Sequence, residues 1–235
     1  MAAWPTRFRE TGARVLRALV ELILMPDDLF DEPPKPGVIR IVDDFKKWLL
    51  KDEEDPDGEE HDMAPNEALW RAVEDGNAQA VKQFLDGGAD PNGQDNDGWT
   101  PLFWAALKGR VNTALILLYH GAEAKVAAND GTTPLHVAAG FDHTSLAVLL
   151  LSRGANVDAQ TVAGLTPLHV AVGAGHCGLA RVLLEHGANV SLVTREGRTP
   201  QDIALQGEKG ELVELLRSHE SSKASGGKKP VHPVA

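Results

Sequence analysis

The sequence predicts an all-α solenoid, stacked from helix-turn-helix units with short β-hairpin loops, and three observations carry that prediction. Thr100-Pro101-Leu102 returns as Thr133-Pro134-Leu135, as Thr166-Pro167-Leu168 and as Thr199-Pro200-Gln201, always 33 residues on. Gly88-Ala89, Gly121-Ala122, Gly154-Ala155 and Gly187-Ala188 keep the same spacing, so two independent markers share one phase. The chain has 235 residues, 43% hydrophobic and 24% charged, which is enough to bury a sizeable core, and Gly 23 with Pro 14 falls short of a low-complexity composition.

The period divides the chain. Residues 1–51 form a helical N-terminal extension, 52–64 an acidic linker, 65–220 the repeat domain and 221–235 a basic tail expected to be disordered. Units are expected at about 66–94, 95–127, 128–160, 161–193 and 194–219.

In the extension, a helix from Thr6 to Met25 places Glu10, Arg14, Arg17 and Glu21 on one face and Val15, Leu16, Leu19, Leu22 and Ile23 on the other. Pro26 ends it. A second stretch, Ile41 to Lys51, gathers Ile41, Phe45, Trp48 and Leu49 opposite Asp43, Lys47 and Lys51. Three readings are open for this region. Its apolar faces fold back over the first repeat or self-associate; they anchor on a partner or a membrane surface; or the segment is an organelle leader, which Arg7, Arg9, Arg14 and Arg17 favour and Glu21 disfavours.

Within a unit each part has a physical reason. Thr100, Thr133, Thr166 and Thr199 read as N-caps, because the Pro that follows presets the helical φ and lacks an amide that would be unpaired there anyway. Leu102, Ala105 and Ala106 share one face of the first helix, and small alanines let neighbouring units approach. Gly109 and Gly175 end that helix. The second helix carries Ala114, Leu117 and Leu118 in one unit, Ala147, Leu150 and Leu151 in the next, and stops at Gly121 and Gly154. Asp97-Gly98, Asp130-Gly131 and Glu196-Gly197 supply the turns between units. Such a unit cannot bury its apolar face alone, so units must stack. The outer units turn polar as stack ends should: Arg71 stands where Trp104, Val137, Val170 and Ile203 stand, Gln201 replaces the leucine, and Arg217 falls where Leu184 does.

These residues resemble ankyrin repeats. Gly131-Thr132-Thr133-Pro134-Leu135-His136-Val137-Ala138-Ala139 and Gly164-Leu165-Thr166-Pro167-Leu168-His169-Val170-Ala171 lie close to the family signature, and Leu183-Leu184-Glu185-His186-Gly187-Ala188-Asn189-Val190 is similar to its second half. Phe103-Trp104, Asp142, Thr161 and Thr194 depart from it. The resemblance implies recognition of a protein partner by turn tips and first helices, with no chemistry of its own. On that face the residues that vary from unit to unit are Asp95, Asn96, Trp99, Leu107 and Lys108; Asn129, Thr132, Gly140 and Phe141; Val162, Leu165 and Ala174; and Arg195, Arg198 and Gln206. Trp99, Phe141 and Leu165 are expected there as an exposed apolar cluster that dominates the binding energy.

Other classes find less support. The net charge is −11 and the basic residues cluster only in the tail, so the body repels phosphate backbones and no nucleic-acid partner is expected. Val15 to Met25 is interrupted by Arg17 and Glu21 and is too short to span a bilayer, so membrane contact is expected only through the N-terminal helix. The lone Cys177 excludes an internal disulfide and favours a reducing, cytoplasmic setting. His136, His143, His169 and His176 follow the period, which makes them framework residues rather than metal ligands, with the ring of His136 or His169 tying the turn to the helix. Cys177 and His176 are adjacent on a helix and cannot face each other as nucleophile and base. No catalytic residue, cofactor or metal is therefore predicted. The expected function is a monomeric, non-enzymatic adaptor or scaffold; the alternative is a tethering factor whose N-terminal helices anchor it while the repeats present a cargo.

Overall fold

A computed structural model describes residues 65–225, and among them ten helices and no strand are formed. They come in five pairs. The first helices are α1 (Pro65–Asp75), α3 (Pro101–Leu107), α5 (Pro134–Gly140), α7 (Pro167–Ala174) and α9 (Pro200–Gln206). The second helices are α2 (Ala78–Asp86), α4 (Val111–Tyr119), α6 (Thr144–Ser152), α8 (Cys177–Glu185) and α10 (Gly210–Ser225). Each first helix packs on its own partner and on the first helix of the next unit, and the second helices pack in a parallel row of their own. The readings for residues 1–51 and 52–64 lie outside the described residues.

Helix starts follow the Thr-Pro logic. Thr100 accepts from the Phe103 amide at 3.4 Å, Thr166 from His169 at 3.3 Å and Thr199 from Asp202 at 3.2 Å. Residue N3 reaches back in three units. His136 Nδ1 accepts from the Thr133 amide at 3.2 Å and its hydroxyl at 2.9 Å, His169 does the same for Thr166 at 3.2 and 2.8 Å, and Asp202 Oδ2 takes the Thr199 amide at 2.8 Å. With Nδ1 accepting, each imidazole carries its proton on Nε2. His136 donates it to the Leu165 carbonyl at 2.9 Å and His169 to the Arg198 carbonyl at 3.2 Å, both in the next unit. The expected tie between turn and helix is present, and it also joins units.

The core is one continuous stripe. Leu102, Leu135 and Leu168 are fully buried, as are Ala105, Ala138 and Ala171 where first helices touch, and Leu117, Leu150 and Leu183 beneath the second helices. Leu118 and Leu151 are only half-buried, because the step of one residue rotates them about 100° around the helix from the seam that Leu117 and Leu150 fill. The ends are polar as expected: Arg71 and Arg217 are exposed. On the open side of the last unit Leu205 is exposed at the position where Ala106, Ala139 and Val172 are buried against a following unit.

The connections between units are short hairpin turns, each closed by two backbone bonds: Ala128 N–H to Thr132 at 2.8 Å and Gly131 N–H to Ala128 at 2.9 Å are typical. One detail differs from expectation. The last helix runs to Ser225, into the segment expected to be disordered, because no breaker precedes Gly226.

One turn glycine shows what the geometry demands. Gly131 has φ +83°, and a Cβ there would sit 2.9 Å from the Gln160 carbonyl oxygen and 3.0 Å from Thr161 Cα. Gly131→Ala is expected to cost at least about 1 kcal/mol from the left-handed backbone alone, read as a lower midpoint in urea. An unchanged midpoint would show that residue 131 does not hold the left-handed backbone at this turn.

Candidate functional site

The turn tips form one row tied from unit to unit by backbone bonds 2.7 to 2.9 Å long. Asn129 N–H donates to the Asp97 carbonyl at 2.9 Å, Val162 N–H to Asp130 at 2.7 Å and Arg195 N–H to Ala163 at 2.9 Å. The Asn129 side chain adds a bond to the Asn96 carbonyl at 2.8 Å. Short polar loops would otherwise move independently. Bonded in series, they hold side chains from four units at fixed spacing.

Side chains on this row differ in character along it. Asn96, Asn129, Val162 and Arg195 are exposed, Val162 at 53%. Asp95 is half-buried; its Oδ1 accepts from the Trp99 amide at 2.8 Å and the Asp97 amide at 2.9 Å, and burial pushes its carboxyl up from the usual carboxylate value in spite of those bonds. Arg198 is half-buried, paired with Glu196 and bonded to Gln206 Oε1 at 2.8 Å. Below the tips, Lys108 is half-buried and Phe141 half-exposes its ring, stacked 6.1 Å from that of His143 at 15°.

Five of the predicted face residues are not on the surface, Gly140 among them because it lies inside the last turn of α5. Trp99 is 3% exposed and Leu165 2%, and Leu107 and Thr132 are likewise buried. The residue before the Thr N-cap closes the turn, and that closure points its side chain inward over the first helix: the Leu165 amide donates to Thr161 Oγ1 at 3.2 Å while its carbonyl takes the His136 proton. Trp99 instead lies on Phe103, ring centroids 4.2 Å apart, and beside Trp104 at 5.6 Å. Thr132 spends its hydroxyl on Asp130 Oδ2 at 3.0 Å. The expected exposed cluster of Trp99, Phe141 and Leu165 is therefore not formed; only Phe141 reaches the face. Leu107 faces the core on the last turn of α3.

The titratable groups nearby are framework. His143 lies 3.4 Å from the Leu107 carbonyl and His176 3.2 Å from that of Gly140, and Lys209 Nζ donates to Val172 at 2.9 Å and to Gly173. Each binds the last carbonyls of the preceding first helix. Cys177 is half-buried at the start of α8, where burial and the Glu211 carboxylate push its thiol up, away from the nucleophilic form. Among the described residues no group of three His, Cys, Asp or Glu is placed to hold a metal, and no helix is long and apolar enough to cross a membrane.

A surface the sequence reading passed over lies on the opposite side, where Leu115, Tyr119 and Val148 are exposed on α4 and α6. The signal was legible: neither helix contains a charged residue, whereas α2 has Lys82 and Asp86 and α8 has Arg181 and Glu185.

A family model described as ankyrin repeats (3 copies) matches residues 43–128, 69–161, 115–194 and 160–226. Over 50 residues the chain is also 42% identical to Protein VAPYRIN-LIKE of Medicago truncatula; that stretch takes in 21% of this chain and 11% of that protein.

Proposed function

The chain belongs to the ankyrin-repeat family, and on that premise we propose that it is a non-enzymatic adaptor whose protein partner docks along the row of turn tips and the exposed edge of the first helices. The observation that carries this reading is the serial bonding of the tips, which presents Asn96, Asn129, Val162 and Arg195 as one preorganised strip. A partner pays little ordering entropy to meet a strip that is already fixed. Phe141 is the apolar anchor beneath it, with Asp95, Lys108 and Arg198 as a polar rim.

The test uses the full chain with Asn96→Lys, Val162→Asp and Arg195→Glu combined. None of these side chains is buried, so the unfolding free energy should stay within about 0.5 kcal/mol of the parent. Capture of the protein's cellular partners in a quantitative pull-down should fall at least about tenfold, since central interface residues dominate binding. Undiminished capture by the triple variant would move the docking site off this row.

A further inference from the structure

The second helices carry a pattern that the adaptor reading does not use. Their outward side chains form two rows one helical turn apart. The first row reads Lys82, Leu115, Val148, Arg181 along the stack, and the second reads Asp86, Tyr119, Ser152, Glu185. All eight are exposed, with Leu115 at 43%, Tyr119 at 82% and Val148 at 41%. The middle is an apolar island and both ends are charged, one sign in each row. Lys82, Arg181 and Glu185 make no ion pair with another described residue, while Asp86 lies 3.7 Å from His120 Nε2.

We propose that this face joins two copies of the chain about a two-fold axis that runs along the stack. Such an axis keeps each unit opposite its own equivalent and turns the helices antiparallel, so the first row of one copy meets the second row of the other. Lys82 then faces Asp86 of the second copy, Arg181 faces its Glu185, Leu115 its Tyr119 and Val148 its Ser152, and every pairing occurs twice. The contact centres on α4 and α6, with the long Lys82 and Arg181 side chains reaching across the rim. The alternative two-fold, running along the helices, would set Lys82 against Arg181 and Asp86 against Glu185. Like charges oppose it. The pattern is thus self-complementary in one arrangement only, and it replaces the monomer expected from the sequence. It is independent of the turn-tip row, which stays open on the other side of each copy.

Sedimentation equilibrium of the full chain over a wide concentration range tests this. The expected result is a reversible monomer–dimer equilibrium, abolished by Leu115→Lys with Tyr119→Lys, two exposed positions where the thermal melt should not change. Arg181→Glu alone and Glu185→Arg alone should each weaken the dimer about tenfold, because two contacts turn repulsive together. The double variant should regain parental affinity. A single-chain mass at every concentration overturns the proposal, as does a dimer indifferent to the lysine pair. Tightening by Arg181→Glu alone, or a double variant that does not recover, overturns the stated arrangement.

Discussion

Replacing Trp99 by Ala should lower the unfolding free energy by about 3 to 5 kcal/mol, the cost of emptying a large aromatic from a packed core. The ring is 3% exposed and stands at the centre of an aromatic group: Phe103 lies 4.2 Å away, Trp104 5.6 Å, and Trp70 meets Trp104 edge-on at 6.4 Å. Trp70 belongs to the first unit and the others to the second, so the cavity would open at the junction between a polar end unit and the body of the stack. Stacked units gain much of their stability from such junctions, and the loss should therefore reach the whole N-terminal side. Urea melts of Trp99→Ala beside Val162→Ala measure it, the latter changing by no more than about 0.5 kcal/mol because Val162 is exposed on a tip. Equal midpoints for the two variants would mean that Trp99 is not a core residue.

Acid should destabilise the protein through His136 and His169. Both rings are buried, and burial lowers each from its ordinary value of 6.5 to about 4, against the smaller opposing effect of carbonyls such as Leu165 and Arg198. The folded value lies below the unfolded one, so as pH falls the unfolded chain takes up protons first. Stability is complete above about pH 6.5 and is lost between there and about pH 4, by about 3 kcal/mol for each ring across the full window. Protonation would also place a donor on Nδ1, where the Thr amide and hydroxyl already donate. Melts in urea at about pH 7 and about pH 5 follow the slope. His136→Gln with His169→Gln keeps an acceptor at N3 and should flatten that slope, since glutamine also completes a capping box. A slope that survives both substitutions would assign the acid sensitivity to other groups.

Much of this was legible in the sequence because the repeat writes the same local physics several times. A Thr-Pro pair specifies an N-cap and the first helical residue through short-range sterics and one hydrogen bond, so its four occurrences placed four helix starts correctly. Leucines and alanines at helical spacing marked the core, and Arg71 and Arg217 marked the ends. The role of His136 and His169 as ties to the N-cap also followed, because the partner stands three residues away.

What lies between units could not be read in the same way. Trp99 and Leu165 occupy a variable position next to a polar turn, and chain order alone does not say whether the turn folds that side chain out or in; only closure over the following helix decides it. The serial bonding of the tips joins residues about one period apart, such as Asn129 and Asp97. Likewise the apolar island of Leu115, Tyr119 and Val148 is two unremarkable helix positions in any one unit, and becomes a patch only when α4 and α6 stand side by side. Local hydrogen bonding and periodic burial belong to the sequence by itself, whereas which side chains share a surface is decided by stacking, since packing against a neighbouring unit determines what water can still reach.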